Sequence, residues 1–229
     1  MQKELLKEKI KENYEKIALD ENTDFCCSPQ EACCSETNNI SKEQVSSIIG
    51  YNEKELKSIP KESILGLGCG APLNFAELKR GETLVDLGSG AGKAVFTAAL
   101  YFDFSKSCGI ELLPAFYKKA NKQLNKAKIL IQHNKKLIEE YSRKISIIHF
   151  INGNFLHTDF FDANIIYISA TCLNEDTWGK LIGKLAQLKP GARIIVATKV
   201  INDVQFELIH KGTELMDWGL CPVSIYKRR

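Results

Sequence analysis

Leu84-Val85-Asp86-Leu87-Gly88-Ser89-Gly90-Ala91-Gly92 decides the fold. Two apolar residues lead into a carboxylate, then three glycines alternate with small residues, and a run rich in Ala, Val and Phe follows from residue 92 to 102. The pattern predicts a strand, a tight glycine turn and a helix. Glycines let the backbone approach a ligand closely, and a helix N-terminus offers unpaired N–H donors. The spacing excludes two common nucleotide loops. A phosphate loop for ATP requires G-x-x-x-x-G-K-[ST], but Leu87 stands at the first glycine and Ala94 at the hydroxyl. A dinucleotide loop requires G-x-G-x-x-G, and here Gly92 comes one residue early.

Outward from the loop, strands and helices alternate. Ser107 to Leu112 reads as a second strand, with Glu111 at its end, 25 residues beyond Asp86. Pro114 suits the first turn of a long basic helix running to about Tyr141. Three more apolar strands are predicted at Ile145 to Ile151, Asn164 to Ala170 and Arg193 to Thr198, with a helix over 175–188. Apolar strands separated by helices imply a parallel sheet covered on both faces. Residues 205–210 and 222–227 alternate without room for a crossover helix, which predicts a closing antiparallel hairpin. The expected fold is α/β, a Rossmann-like sheet of seven strands with the last pair antiparallel.

The chain has 229 residues, 44% hydrophobic and 26% charged, enough for one sizeable core. Its formal net charge of +3 gives no argument for a nucleic-acid partner. No run of about 18 apolar residues exists, so no membrane span is expected. The first residues, MQKELLKEKIKENYEKIA, lack the apolar region of a signal peptide, so a cytoplasmic protein is expected. There Leu6, Ile10, Tyr14 and Ile17 recur at helical spacing. Two domains are expected: a helical cap over 1–62 with a cysteine-rich loop, and a catalytic domain over 63–229. The 8 cysteines suggest thiol or metal chemistry in a reducing compartment rather than a disulfide framework. The pairs Cys26, Cys27 and Cys33, Cys34 lack C-x-x-C spacing, so no metal site is assigned.

The string Asp86-x-Gly88-x-Gly90-x-Gly92 resembles the first motif of class I S-adenosylmethionine-dependent methyltransferases. This cofactor has no pyrophosphate, so its loop need not grip phosphate. The resemblance implies that Asp86, Gly88, Ser89, Gly90, Gly92, Glu111, Leu112, Asn154, Phe155 and Ser169 line a site for S-adenosyl-L-methionine. Glu111 would accept the ribose hydroxyls, and Asn154 and Phe155 would meet adenine. LKPGARIIVATK (Leu188 to Lys199) matches the helix, turn and strand that end the parallel part in this family.

Two finer resemblances divide the chain. NYEKIA, the paired cysteines, IGYNEKELKSIP and ILGLGCGAPLNFAELKRGETLVDLGSGAG resemble bacterial arsenite methyltransferases over the first 92 residues. The resemblance makes Cys69 a ligand of trivalent arsenic, with Ala71 where that family usually has Asn. A soft thiolate suits a soft metalloid. The family's other arsenic-binding cysteines have no matching context here. Asp86 to Val95, Cys108 to Glu111, Gly153 to Leu156 and Ser169 to Cys172 resemble instead the non-SET histone-lysine methyltransferase superfamily and its bacterial relatives. Cys172 follows the fourth strand and Cys221 sits in the last hairpin, so both are candidates beside Cys69. The leading expectation is methylation of arsenite or another soft metalloid or thiol. Methylation of a protein lysine is the alternative, and a cofactor- or metalloid-binding protein without catalysis is the second.

Overall fold

The computed structural model describes residues 78–216 and 219–229, together with Lys54, Lys57 and Ala76. Apart from Lys54 and Lys57, the expected cap lies outside the described residues, as do the four paired cysteines and Cys69. Seven strands form one sheet: β1 (Thr83–Leu87), β2 (Lys106–Glu111), β3 (Ile148–Asn152), β4 (Ile165–Ser169), β5 (Arg193–Ala197), β6 (Phe206–Met216) and β7 (Gly219–Arg228). Their order is β3-β2-β1-β4-β5-β7-β6. The first five run parallel, and β7 enters antiparallel between β5 and β6. The α/β sheet and its antiparallel closing pair are as the sequence predicts. The chain lays β2 and β3 to one side of β1 and then returns to place β4 on the other. That reversal opens a crevice at the carboxyl ends of β1 and β4, where open α/β sheets bind ligands.

Alternation along the strands divides the core. Val85, Leu87, Cys108, Ile110, Ile166, Ile168, Ile194 and Val196 share one face, covered by Trp178, Leu181 and Leu185 of a helix we label α4 (Glu175–Leu185). Leu84, Ile165, Tyr167 and Ile195 share the other with Ala98 of α1 (Lys93–Tyr101). Every residue of β1 and β5 is buried, as a central parallel strand requires. At the amino end of the sheet, the buried Arg193 donates to Ala76 O at 2.8 Å and pairs with Glu82. At the opposite end, Trp178 Nε1 donates to Val200 O at 3.2 Å, and Ile201 N donates to the Tyr226 hydroxyl at 3.1 Å. These two bonds pin the connection after β5.

Two expected boundaries move. The single helix from Pro114 to about Tyr141 is two helices, α2 (Pro114–Gln132) and α3 (Lys135–Ser146). Asn134 between them is extended, and its side chain accepts from Lys136 N and Leu137 N at 3.1 and 3.4 Å. Asparagine is among the best N-caps, so the chain restarts there. The strand predicted from Ile145 begins only at Ile148, because Ile145 ends α3 in a cluster with Leu124, Ile131 and Phe96. A short apolar run does not by itself tell a buried helix end from a strand. The closing hairpin is longer than its alternating core, extending through the polar stretch Lys211 to Glu214.

Candidate functional site

The glycine loop leaves β1 and enters α1 through three left-handed residues. Gly88, Gly90 and Gly92 have φ of 92°, 54° and 90°, values that side-chain-bearing residues rarely adopt. Gly88 N donates to Ile110 O at 2.8 Å and Gly92 N to Ser89 O at 2.9 Å, which tie the loop to β2 and close its turn. The glycines serve different ends. A Cβ on Gly88 or Gly90 would meet nothing within 4 Å, so both border open space. A Cβ on Gly92 would lie 2.4 Å from Phe150 Cζ. Gly92 therefore serves the close approach of α1 to β3. It is also the N-cap of α1 and offers no side chain to the first-turn amides.

Glu111 closes the loop from below. Its buried carboxylate accepts from Gly90 N at 2.8 Å and from Leu113 N at 2.7 Å. Burial raises its pKa, while the bonds from backbone amides pull the other way. Asp86, also buried, is pushed up to about 8 by its desolvation and then by the charge of Glu111. Two acidic groups thus underlie the glycine cradle, and Asp86 holds its proton at neutral pH and gains negative charge only on losing it. Such a floor suits hydroxyls and cationic groups better than a phosphate.

The third wall follows β3. Gly153 N donates to Glu111 O at 3.0 Å. Asn152 Nδ2 donates to Glu111 O and Leu112 O at 2.9 and 3.3 Å. Leu112 is 60% exposed beside this junction, an apolar surface at the mouth of the crevice. Asn154 Oδ1 accepts from Leu156 N at 2.9 Å, which leaves the Nδ2 group as the donor this side chain can present to a ring nitrogen. Phe155 is half-buried against the core. The bracing role of Asn152 was not apparent from the sequence, where it stands as one polar residue before Gly153.

The fold thus gathers Gly88, Gly90, Glu111, Leu112 and Asn154 at one crevice. Ser89 belongs to the loop, but its buried hydroxyl is turned against Gly109, where a Cβ would lie 2.5 Å from Ser89 Oγ. Ser169 is half-buried at the end of β4, paired with Ala197. Cys172 is exposed, just past that strand. Cys221 lies deeper than the sequence suggested. It is 1% exposed in a cluster with Tyr167, Ala197, Val223 and Ile225, and its pKa is raised by burial. Beside it, Thr198 takes a left-handed φ of 74°, and Thr198 N donates to Pro222 O at 2.9 Å.

The family profile described as histone methylation protein DOT1 matches residues 73–216. The chain belongs to the DOT1 family. It has the class I S-adenosylmethionine-dependent methyltransferase fold. An arsenite methyltransferase from Halobacterium salinarum is 34% identical over 128 residues, covering 52% of this chain. The chain spans 32% of that relative's length. Among solved structures, TrmN from Thermus thermophilus is similar at a TM-score of 0.54 and 18% identity, covering 73% of this chain and 49% of that one. Magnesium protoporphyrin IX methyltransferase from Synechocystis, solved with bound cofactor, is similar at 0.50 and 13% identity, covering 66% and 71%. Likenesses at this identity show the DOT1-family chain's fold alone. Among the described residues, no helix is long and apolar enough to cross a membrane.

Proposed function

We propose that this chain is an S-adenosylmethionine-dependent methyltransferase that acts on trivalent arsenic. The observation that carries the first half is the open cradle at Gly88 and Gly90 above the buried pair Asp86 and Glu111. Glu111 would take the ribose, and Leu112, Asn154 and Phe155 the adenine. Asp86, on giving up its proton, would supply negative charge to the cationic end. Bound there, the cofactor supplies a methyl group already activated by its sulfonium. An acceptor with a lone pair then needs alignment rather than a strong base.

The identity with an arsenite methyltransferase supports the acceptor. Arsenic(III) prefers two or three thiolates. Cys172 is exposed at the carboxyl end of β4, on the crevice side of the sheet. The buried thiol of Cys221 keeps its proton, so it would need to be uncovered before it could bind. This reading therefore rests on Cys69 and Cys172. The match to the DOT1 family favours a second reading, methylation of a protein lysine. A lysine must first lose its proton, which calls for a desolvated channel.

One assay separates the two. Purified protein is given S-adenosylmethionine labelled in its methyl group, with arsenite and a thiol reductant in one arm and a protein extract in the other. The arsenic reading predicts labelled methylarsenic species, abolished by Cys69→Ser and reduced by Cys172→Ser. Label confined to protein lysines would overturn it in favour of the second reading. Cofactor binding without transfer in either arm would leave only the binding role.

A further inference from the structure

The loop that follows β3 has a partner outside the crevice. Lys184, in the last turn of α4, extends its ammonium to the carbonyls of Phe155 and Thr158, at 2.8 and 2.5 Å. The same nitrogen lies 4.7 Å from the centre of the Phe160 ring and 5.6 Å from that of Phe161. Two carbonyls and two ring faces surround one cation, and burial lowers its pKa against the opposing charge of Asp159.

The other bonds of this loop are of two kinds. Leu156 N to Asn154 Oδ1, and His157 N and Thr158 N to Asn154 O, shape the turn from within. They would survive if the turn moved as a unit. Gly153 N to Glu111 O and the buried Phe160 side chain hold its two ends. Lys184 grips the middle from a helix 29 and 26 residues away in sequence. A charged donor on a carbonyl contributes more than a neutral one, and stacking against a ring face adds to it.

We propose that Lys184 is a positioning residue for the cofactor, its ammonium holding the Asn154 to Thr158 turn where Asn154 and Phe155 meet the adenine. The assignment rests on the reading of those two residues as the adenine contact. Lys184 itself reaches carbonyls and rings, on the side of the turn that packs against α4. Its loss would act through the turn.

The test uses the full chain and S-adenosylhomocysteine as the probe, by calorimetry, with hydrogen exchange of the ligand-free protein alongside. Lys184→Met keeps the stem and removes the charge. It should weaken binding about fivefold or more and speed exchange at Leu156, His157 and Thr158. Lys184→Arg should bring affinity back to within about twofold of the parent, because guanidinium can bond both carbonyls. Lys184→Gln, with a shorter neutral donor, should fall between. Methionine at parental affinity, or arginine as weak as methionine, overturns the assignment. Asn154→Ala and Phe155→Ala tell the two failures apart. If both bind like the parent, the adenine reading falls and the role of Lys184 with it. If either weakens binding while Lys184→Met does not, only the role of Lys184 falls.

Discussion

Binding of the cationic cofactor should draw a proton off Asp86, and Asp86→Asn should remove that linkage. Burial and the charge of Glu111 hold the Asp86 carboxyl near a pKa of about 8. At pH 7 such a group is about nine-tenths protonated, and a carboxylate that pairs with a cation must first give that proton up. Each unit between pH and pKa costs about 1.4 kcal/mol. The affinity of the parent relative to Asp86→Asn should therefore rise about tenfold between pH 7 and pH 9 and level off above that. At pH 7, binding should release about 0.9 proton through this group. Calorimetric enthalpies measured in phosphate and in Tris reveal that number directly, because the two buffers take up protons with different heats. The cofactor's own amino group loses its charge in the same range, near 8, and so opposes the gain from Asp86. Asp86→Asn, whose amide does not titrate, is the control that isolates the protein's share. The same carboxyl affects the ligand-free fold. Its pKa is raised from 3.8 in the unfolded chain, so the folded state binds more protons between those two values. Its contribution is fully present below the unfolded value and is lost as pH rises through the folded one. Midpoints of thermal unfolding without cofactor should fall from pH 6 to pH 8.5, and Asp86→Asn should flatten that fall. Identical proton release by parent and Asp86→Asn would show that Asp86 does not give up a proton to the cofactor.

Glu111→Ala should weaken binding of S-adenosylhomocysteine by about 1.5–3 kcal/mol, the range for bonds to a charged group, as calorimetry on folded protein would show. It should also free the Gly90 and Leu113 amides, whose exchange would quicken. Gly92→Ala should destabilise the fold by about 1–3 kcal/mol, since its Cβ would lie 2.4 Å from Phe150 Cζ; a parental thermal midpoint would count against that contact. Arg193→Met removes one half of a buried ion pair with Glu82 and should cost about 3–5 kcal/mol in urea unfolding, with no change in cofactor affinity per folded molecule.

The sheet was legible because its signals are local and repeated. Five apolar strands, spaced by helices and led by Asp86 to Gly92, leave one sensible topology, and the last hairpin announces itself by lacking a crossover. The break before α3 was less visible. Asn134 is a good N-cap, but the lysines on both sides continue a helical composition, and only the cap geometry shows the restart. Cys221 could have been placed from spacing. With Val223 and Ile225 it recurs every second residue, so all three share the sheet face that the core claims. The separate duties of the glycines could not be read in advance. Gly88, Gly90 and Gly92 look alike in sequence, yet two border open space and one meets Phe150, a residue 58 positions later in the chain. The bonds of Lys184 to the turn after β3 were hidden for a similar reason. A lysine in the last turn of a helix reads as a solvated end, and only the packing of α4 brings it to those carbonyls.

The cofactor site is the crevice at the carboxyl end of the sheet, opened where the order reverses between β1 and β4 and lined by the loops after β1, β2 and β3. Hydrogen exchange of the full chain, with and without S-adenosylhomocysteine, tests it most directly. Exchange at residues 88–92, 111–113 and 154–158 should slow in the presence of the ligand, with little change at the β6–β7 hairpin. Saturating ligand that leaves those three segments unchanged, or protects the hairpin instead, would contradict it.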